Sequence, residues 1–192
     1  MRILYNFFLF IYRLGAGIMA WFSPKVKRWH QGRKGQFERM QAVKKGKGPL
    51  AWFHCASLGE FEQGRPVIEA FRKACPDFRI LLTFFSPSGY EIRKNYEQAD
   101  HVFYLPLDTP AQVKRFFDIW DPRLAVFVKY EFWFNYLDTL YRKQIPSFVI
   151  SAHFLPEQHF FKPYGGWFRR QLKKFTHIFV QNQSSLDLLL KA

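Results

Sequence analysis

The sequence is poor in cysteine and in acidic residues, and it lacks several common binding motifs. The only two cysteines, Cys55 and Cys75, lie in apolar settings, which predicts neither a disulfide framework nor a zinc site and favours a reducing compartment. No G-x-G-x-x-G and no G-x-x-x-x-G-K-[ST] pattern is present. The sequence therefore contains no motif that supports dinucleotide binding or a phosphate-binding P-loop.

The scarcity of acidic residues leaves the chain strongly basic. Aspartate and glutamate number 15 against 29 lysines and arginines, which gives a formal net charge of +14 at pH 7. Such a charge predicts an anionic partner, which is a nucleic acid, an acidic lipid or a phosphorylated substrate. Many of the basic residues follow an apolar run directly, and no nucleic-acid-binding motif accompanies them. Lipid is therefore favoured over nucleic acid.

The N-terminus carries that apolar run, over residues 3–22. Its length matches a bilayer, but Arg13 lies in its middle, where an arginine costs about 2.5–3.5 kcal/mol in a spanning helix. A tilted or in-plane anchor is therefore favoured. We predict a membrane anchor over residues 1–22 and a basic linker over residues 23–48, which would hold the body on the cytoplasmic side. The alternative is an amphipathic helix docked on the domain.

The remainder of the chain, residues 49–192, alternates between strand-like and helix-like segments. Several strand-like segments are nearly continuous apolar runs, as expected where helices cover both faces of a sheet. This alternation predicts an α/β fold with a doubly wound, mostly parallel sheet. Strands are predicted over residues 50–55, 79–85, 101–105, 123–128, 147–151 and 177–181, and helices over 61–73, 89–98, 111–120, 133–142, 164–174 and from 184 onward.

Polar residues follow these strands, and in a parallel sheet they would share one edge, where ligands bind. The candidates are Ser57, Gly59 and Glu60 after the first strand, Ser86, Ser88 and Gly89 after the second, Asp108 after the third, and Lys129 and Glu131 after the fourth. A carboxylate there is placed to act as a general base. Helix N-termini at the same edge favour an anion.

Each candidate also has a purely structural interpretation. Ser57, Ser86 and Asp108 are typical helix caps or turn residues, and the two glycines suit tight turns. Glu60 and Glu131 are acidic residues near predicted helix N-termini, where the helix dipole favours a negative charge. Spacing alone leaves both interpretations open.

Four segments, taken in order, resemble the 3-deoxy-D-manno-octulosonic acid (Kdo) transferases of lipopolysaccharide assembly. Residues 52–60 (WFHCASLGE) resemble the H-A-A-S-x-G-E segment of that family, and residues 83–89 (TFFSPSG) resemble T-x-T-x-(S/T)-G. Residues 104–110 (YLPLDTP) resemble P-x-D, and residues 129–135 (KYEFWFN) resemble E-x-E-x-W-P-N. The apolar N-terminus followed by basic residues also matches the family.

The resemblance implies the Rossmann-like N-terminal half of a two-domain GT-B glycosyltransferase. Its partners would be the lipid A precursor (lipid IVA), bound by this half, and the sugar nucleotide CMP-Kdo, bound by a C-terminal domain that is absent from the chain. No cofactor and no metal is implied, and the location would be the cytoplasmic face of the inner membrane.

The family motifs also assign roles to single residues. Glu60 falls on the proposed general base and Glu131 on the second glutamate of E-x-E. Lys129 replaces the first glutamate, which makes it a candidate phosphate ligand. Two other functions stay open, a membrane-tethered module without catalysis and a basic nucleic-acid-binding domain.

Overall fold

The computed structural model describes residues 1–43, 46–129 and 132–191. Its centre is one sheet formed by β1 (Leu50–Cys55), β2 (Arg79–Phe84), β3 (His101–Tyr104), β4 (Pro122–Val128), β5 (Ser147–Ala152) and β6 (His177–Val180). All neighbouring strands pair in parallel, in the order β3-β2-β1-β4-β5-β6. The predicted α/β fold with a doubly wound parallel sheet is confirmed. The chain order reverses between β1 and β4, and in sheets of this kind ligands bind outside the carboxyl ends of the strands at such a reversal.

Helices cover both faces of this sheet. They are α1 (Arg2–Met19), α2 (Pro24–Arg33), α3 (Gln36–Ala42), α4 (Leu58–Ala74), α5 (Pro87–Arg93), α6 (Pro110–Ile119), α7 (Phe134–Arg142), α8 (Gly166–Leu172) and α9 (Gln183–Leu190). Side chains of α4 and α5 pack into one apolar core, and those of α3, α6, α7 and α8 pack into the other.

The sequence of β1 is a continuous apolar run because both faces of this strand are covered. Leu50 and Trp52 point into the core beneath α6 and α7, while Ala51, Phe53 and Cys55 point into the core beneath α4. Successive strand residues face opposite sides of the sheet, so a strand covered on both faces needs apolar residues at both its odd and its even positions.

The segment interpreted from its charge as a basic linker, residues 23–48, contains two helices in its described part, α2 and α3. Three of its large apolar residues are buried, with Trp29 7% exposed, Phe37 8% and Met40 fully covered. Ser23 caps α2 and Pro24 occupies the first turn, a common helix start. Apart from Arg33, the described lysines and arginines of this segment are exposed, so net charge alone did not reveal its buried residues.

Polar side chains at the N-terminal end of helix α1 contact the body. Arg2 forms an ion pair with Asp138 at 3.0 Å, and Asn6 Oδ1 accepts a hydrogen bond from Asn135 Nδ2 at 2.9 Å. No residue of α1 is buried. Among the described residues, no single helix is long and apolar enough to cross a bilayer, and α1 and α2 meet that test only as a pair bent by 119°.

Candidate active site

Glu60 lies in the first turn of α4, directly after the carboxyl end of β1. Ser57 caps this helix, and its Oγ accepts a hydrogen bond from the Glu60 backbone N–H at 3.5 Å. In return, Glu60 Oε2 accepts a hydrogen bond from the backbone N–H of Ala56. The S-x-x-E spacing is that of a capping box, and the glutamate here reaches the N–H of Ala56, one residue before the cap. The capping and catalytic interpretations of Glu60 are therefore compatible, because the cap orients the carboxylate at the crevice.

The glycines of α4 differ in what surrounds them. A Cβ on Gly64 would lie 2.8 Å from Val128 Cγ2, so close packing of α4 on β4 accounts for that glycine. A Cβ on Gly59 would have no other described atom within 4 Å, apart from its own chain neighbours and helix backbone. Packing within the described part of the chain gives no reason for glycine at position 59, which stays a candidate for contact with substrate.

The loop after β2 joins the same edge. The Ser86 backbone N–H donates to the Ala56 carbonyl at 2.7 Å, which ties this loop to the one that precedes Glu60. Ser86 Oγ caps α5 by accepting from the Ser88 N–H at 3.3 Å, and the two hydroxyl oxygens are 3.0 Å apart. The structure thus brings both serines to the edge that holds the carboxylate.

Gly89, predicted as a substrate contact, has a packing role in this loop. It is buried, and a Cβ there would lie 2.3 Å from the Phe84 ring. No larger side chain fits unless that ring moves.

Lys129 follows β4 in a left-handed backbone conformation with φ of 65°, and Ser151 at the end of β5 has φ of 54°. Such values are uncommon for residues other than glycine and concentrate at functional sites. The Lys129 N–H donates to the Ile150 carbonyl at 2.9 Å, which joins the two strands at this edge. Glu131, the other predicted ligand from this loop, lies outside the described residues.

A buried polar network lies beneath the site, and sequence reasoning missed it. His54 is fully buried in β1, and its Nε2 accepts a hydrogen bond from Trp133 Nε1 at 3.1 Å. Because an indole can only donate, the histidine proton must be on Nδ1, which lies 2.9 Å from Thr83 Oγ1. Trp52 Nε1 also donates to that hydroxyl at 2.8 Å. The sequence signal for this network was one polar residue in each of two otherwise apolar strands, His54 in β1 and Thr83 in β2. These two residues are paired in register in the sheet.

Asp108 is fully buried and caps a helix, although not the helix that follows it. Its carboxylate accepts hydrogen bonds from the backbone N–H groups of Asn135 at 3.0 Å and Tyr136 at 2.9 Å, in the first turn of α7. It also accepts one from Tyr5 Oη of α1 at 2.6 Å. Burial raises the pKa of Asp108 to about 7, although all three hydrogen bonds favour the ionised form. Asp108 therefore joins α1 to the body beside the site.

Comparison with known proteins identifies the family. The family described as "3-Deoxy-D-manno-octulosonic-acid transferase (kdotransferase)" matches residues 31–192, from within α2 onward. The chain belongs to the Kdo transferase family.

Relatives of this Kdo transferase domain come from distant organisms. The chain is 34% identical over 119 residues to a 3-deoxy-D-manno-octulosonic acid transferase of Aquifex aeolicus, covering 62% of the chain and 32% of that protein. It is 30% identical over 156 residues to a probable mitochondrial 3-deoxy-D-manno-octulosonic acid transferase of Arabidopsis thaliana, covering 75% of the chain and 35% of that protein. The matched part of the chain spans about a third of the length of these relatives.

A solved structure supports the fold. The crystal structure of a UDP-N-acetylglucosamine 2-epimerase superposes with a TM-score of 0.55 at 13% identity, covering 76% of this chain and 45% of that one. This likeness shows the Rossmann-like architecture alone.

The family match includes the end of α2, where Arg33 places a positive charge beside the site. Its Nη2 donates to the Phe85 carbonyl at 2.8 Å and its Nε to the Leu105 carbonyl at 3.2 Å, just beyond the ends of β2 and β3. The guanidinium also lies 4.2 Å from the centroid of the Trp29 ring. Burial lowers the pKa of Arg33 to about 9, so the group stays charged at neutral pH. Because residues 23–48 were interpreted as a linker, the sequence analysis did not identify Arg33 as a residue near the site.

Proposed function

We propose that this chain forms the acceptor-binding half of a glycosyltransferase that moves Kdo from CMP-Kdo to the lipid A precursor. Family membership supports the reaction class, and the position of Glu60 at the crevice between β1 and β4 supports its role in the chemistry. CMP-Kdo would be bound by a region outside this chain, since the relatives are about three times as long as the matched part.

Glu60 is proposed as the general base. A sugar hydroxyl is a weak nucleophile at neutral pH, and a carboxylate within hydrogen-bond reach can take its proton as the new glycosidic bond forms. The Ala56 N–H orients one carboxylate oxygen, and a carboxylate held in place at this edge of the sheet is positioned to take a proton.

The other predicted residues are proposed acceptor ligands. The hydroxyls of Ser57, Ser86 and Ser88 and the open surface at Gly59 lie on the same edge as the base. Lys129 extends the edge toward β5 and supplies a cation for a phosphate group. Glu131 is proposed to orient the acceptor, as the family motif implies.

The decisive test is Glu60→Gln in the polypeptide that joins this domain to a donor-binding domain. We expect transfer to fall about 10²–10⁴-fold, the usual contribution of a positioned base, with acceptor binding and the melting temperature nearly unchanged. Glu62→Gln is the matched control, since that side chain pairs with Arg93 at 2.7 Å instead of capping α4. Near-normal turnover by Glu60→Gln would show that Glu60 caps the helix and does not act as the base.

We also propose attachment to an anionic membrane, at the cytoplasmic face of the inner membrane. Helix α1 and the residues after it expose large apolar side chains, including Ile3 (86% exposed), Trp21 (89%) and Phe22 (79%). Burying such groups in a bilayer favours binding, and the basic residues of α2 favour anionic lipid.

Vesicle cosedimentation tests this attachment. The double substitution Trp21→Ser/Phe22→Ser should weaken binding at least about tenfold, the effect of withdrawing two large apolar side chains from lipid. Leu190→Ser, at a site 77% exposed on α9, is the control and should bind normally. Equal binding by all three proteins would contradict the anchor.

A second candidate function is a membrane-tethered module without catalysis, and the exposed apolar face of α1 is the observation that favours it. This alternative predicts vesicle binding together with no transfer by the joined polypeptide, whatever residue stands at position 60. Transfer that depends on Glu60 would exclude it.

A further inference from the structure

A partly exposed histidine, His153, follows β5 at the same edge of the sheet as Glu60. Its Nδ1 lies 3.0 Å from Nδ2 of Asn182, the residue that caps α9. The orientation of that amide is fixed, because its Oδ1 accepts hydrogen bonds from the Ser185 backbone N–H at 2.9 Å and from the Ser184 hydroxyl at 3.1 Å. An amide nitrogen can only donate, so His153 Nδ1 accepts and the proton of the neutral ring lies on Nε2.

The backbone around His153 is held in place as well as its ring. The pairing of β5 with β6 is irregular at the carboxyl end of β5, where Ser151 has φ of 54°. Irregularities of the bulge type occur often beside active sites, where they re-aim side chains. The next residue, Phe154, donates its N–H to the buried Ser185 hydroxyl at 2.9 Å. These contacts fix the position of a partly exposed ring, which is the preorganisation that a ligand-binding side chain needs.

The end of β6 lies close to the helix that carries Glu60. Gln181 follows β6, and its Nε2 donates to Oε1 of Gln63 at 3.3 Å. Gln63 is three residues beyond Glu60 on α4, and residues at this spacing are neighbours on a helix surface. The Gln181 N–H also donates to the Ala152 carbonyl at 2.8 Å, beside His153. His153 and the two glutamines therefore continue the edge from Glu60 toward β6.

These three side chains carry no charge in the tautomer described above. Nε2 of His153 has no hydrogen-bond partner among the described residues, so this donor is available to a ligand. The amides of Gln63 and Gln181 are exposed and keep donors and acceptors beyond their mutual bond. Sugar hydroxyls both donate and accept, so they match such neutral groups, whereas an anion is bound best by charged donors.

We propose that His153, Gln63 and Gln181 form a subsite that binds hydroxyl groups of a sugar beside Glu60. The His153 Nε2–H donates to a sugar oxygen, and Asn182 is a positioning residue that holds the histidine in the required tautomer. This inference rests on the glycosyl transfer proposed above and adds to it the side chains that recognise a sugar ring. That ring belongs either to the acceptor or to the transferred sugar, and kinetic measurements distinguish the two.

Nuclear magnetic resonance of the intact 192-residue chain tests the subsite without any transfer reaction. Titration with methyl α-D-glucopyranoside, a neutral sugar, should shift the ring resonances of His153, whereas inorganic phosphate at the same concentration should not. His159, an exposed histidine whose Nδ1 lies 3.2 Å from Tyr164 Oη, is the internal control. No response to the sugar, a response to phosphate of the same size, or equal responses of both histidines overturns the proposal.

Substitution of Asn182 tests its positioning role. Asn182→Asp keeps a capping oxygen for the Ser185 N–H, but it turns the partner of His153 Nδ1 from a donor into an acceptor. Nitrogen-15 shifts of the neutral ring should show the Nε2–H tautomer in the wild type and the Nδ1–H tautomer in the variant. The response of His153 to the sugar should fall with the loss of the Nε2 donor. The same tautomer in both proteins, or a full sugar response by the variant, overturns the role of Asn182.

Steady-state kinetics of the joined polypeptide identify the sugar. His153→Leu removes the donor and should raise the KM of one substrate about three- to tenfold, the effect of one lost hydrogen bond. His153→Gln restores an N–H and should largely restore that KM, and His159→Leu is the matched control that should change neither. A rise for the acceptor or for CMP-Kdo assigns the ring to that substrate, and no rise for either overturns the subsite. Absence of transfer by the wild type would refute the proposed function instead, and the titration would still decide the subsite.

Discussion

The substitution Asp108→Asn should change how the stability of this domain depends on pH. Asp108 is fully buried, and its carboxylate accepts hydrogen bonds from Tyr5 Oη and from two backbone N–H groups of α7. Burial raises its pKa from 3.8 to about 7. The folded state therefore holds this proton more tightly than the unfolded chain does.

The sign and size of the effect follow from that difference in pKa. The stability that the raised pKa contributes is complete below pH 3.8 and is lost as the pH rises to about 7. One pKa unit corresponds to about 1.4 kcal/mol, so the loss is at most about 4 kcal/mol. The amide of the variant does not titrate and keeps one acceptor oxygen, so one N–H of α7 loses its partner at every pH, which costs about 1–3 kcal/mol.

Urea unfolding, followed by far-UV circular dichroism between about pH 4 and pH 8, measures both effects. As the pH rises, the wild type should lose stability relative to Asp108→Asn. The difference between their unfolding free energies should become constant above about pH 7. Tyr5→Phe is the control, because it removes one hydrogen bond and leaves the titrating carboxyl in place. Parallel stability curves for wild type and Asp108→Asn would refute the reasoning.

Further predictions concern packing and the buried cation. Gly89→Ala should destabilise the domain by about 1–3 kcal/mol, since its Cβ would lie 2.3 Å from the Phe84 ring. Gly59→Ala, which meets no such contact, should leave the melting temperature unchanged or slightly raised, and equal losses for both glycines would contradict this. Arg33→Lys should cost about 1–3 kcal/mol in urea unfolding, because an ammonium cannot reproduce the fork that reaches three carbonyls. A loss within error would show that this fork contributes little.

The strands were the best-predicted part of the fold. The observed range of β1, Leu50–Cys55, matches its prediction, and β2 ends at Phe84, one residue before the predicted end. A continuous apolar run bounded by turn residues is a local signal, so it needs no knowledge of distant partners. Helix ends were less accurate, since α4 begins at Leu58 instead of 61. Its first turn begins with Leu58 but continues with Gly59 and Glu60, so the regular apolar pattern starts later than the helix.

The order of chemical groups along the carboxyl edge was also predictable, because parallel βα units place every following loop at the same edge. Ser57 and Glu60 lie there after β1, and Ser86 and Ser88 lie there after β2. The motifs of the Kdo transferases marked the same loops. Family membership was therefore readable from the sequence, while the roles proposed for these residues await the substitutions described above.

Tertiary structure alone decided which of these residues serve the fold and what surrounds the site. Tyr5 reaches Asp108 across 103 positions of the sequence, and Trp133 reaches His54 across 79. The packing role of Gly89 depends on where the Phe84 ring lies. Composition and periodicity report which elements form, because those depend on neighbouring residues. They do not report which distant side chains meet, because contacts of that kind exist only once the sheet has brought its loops together.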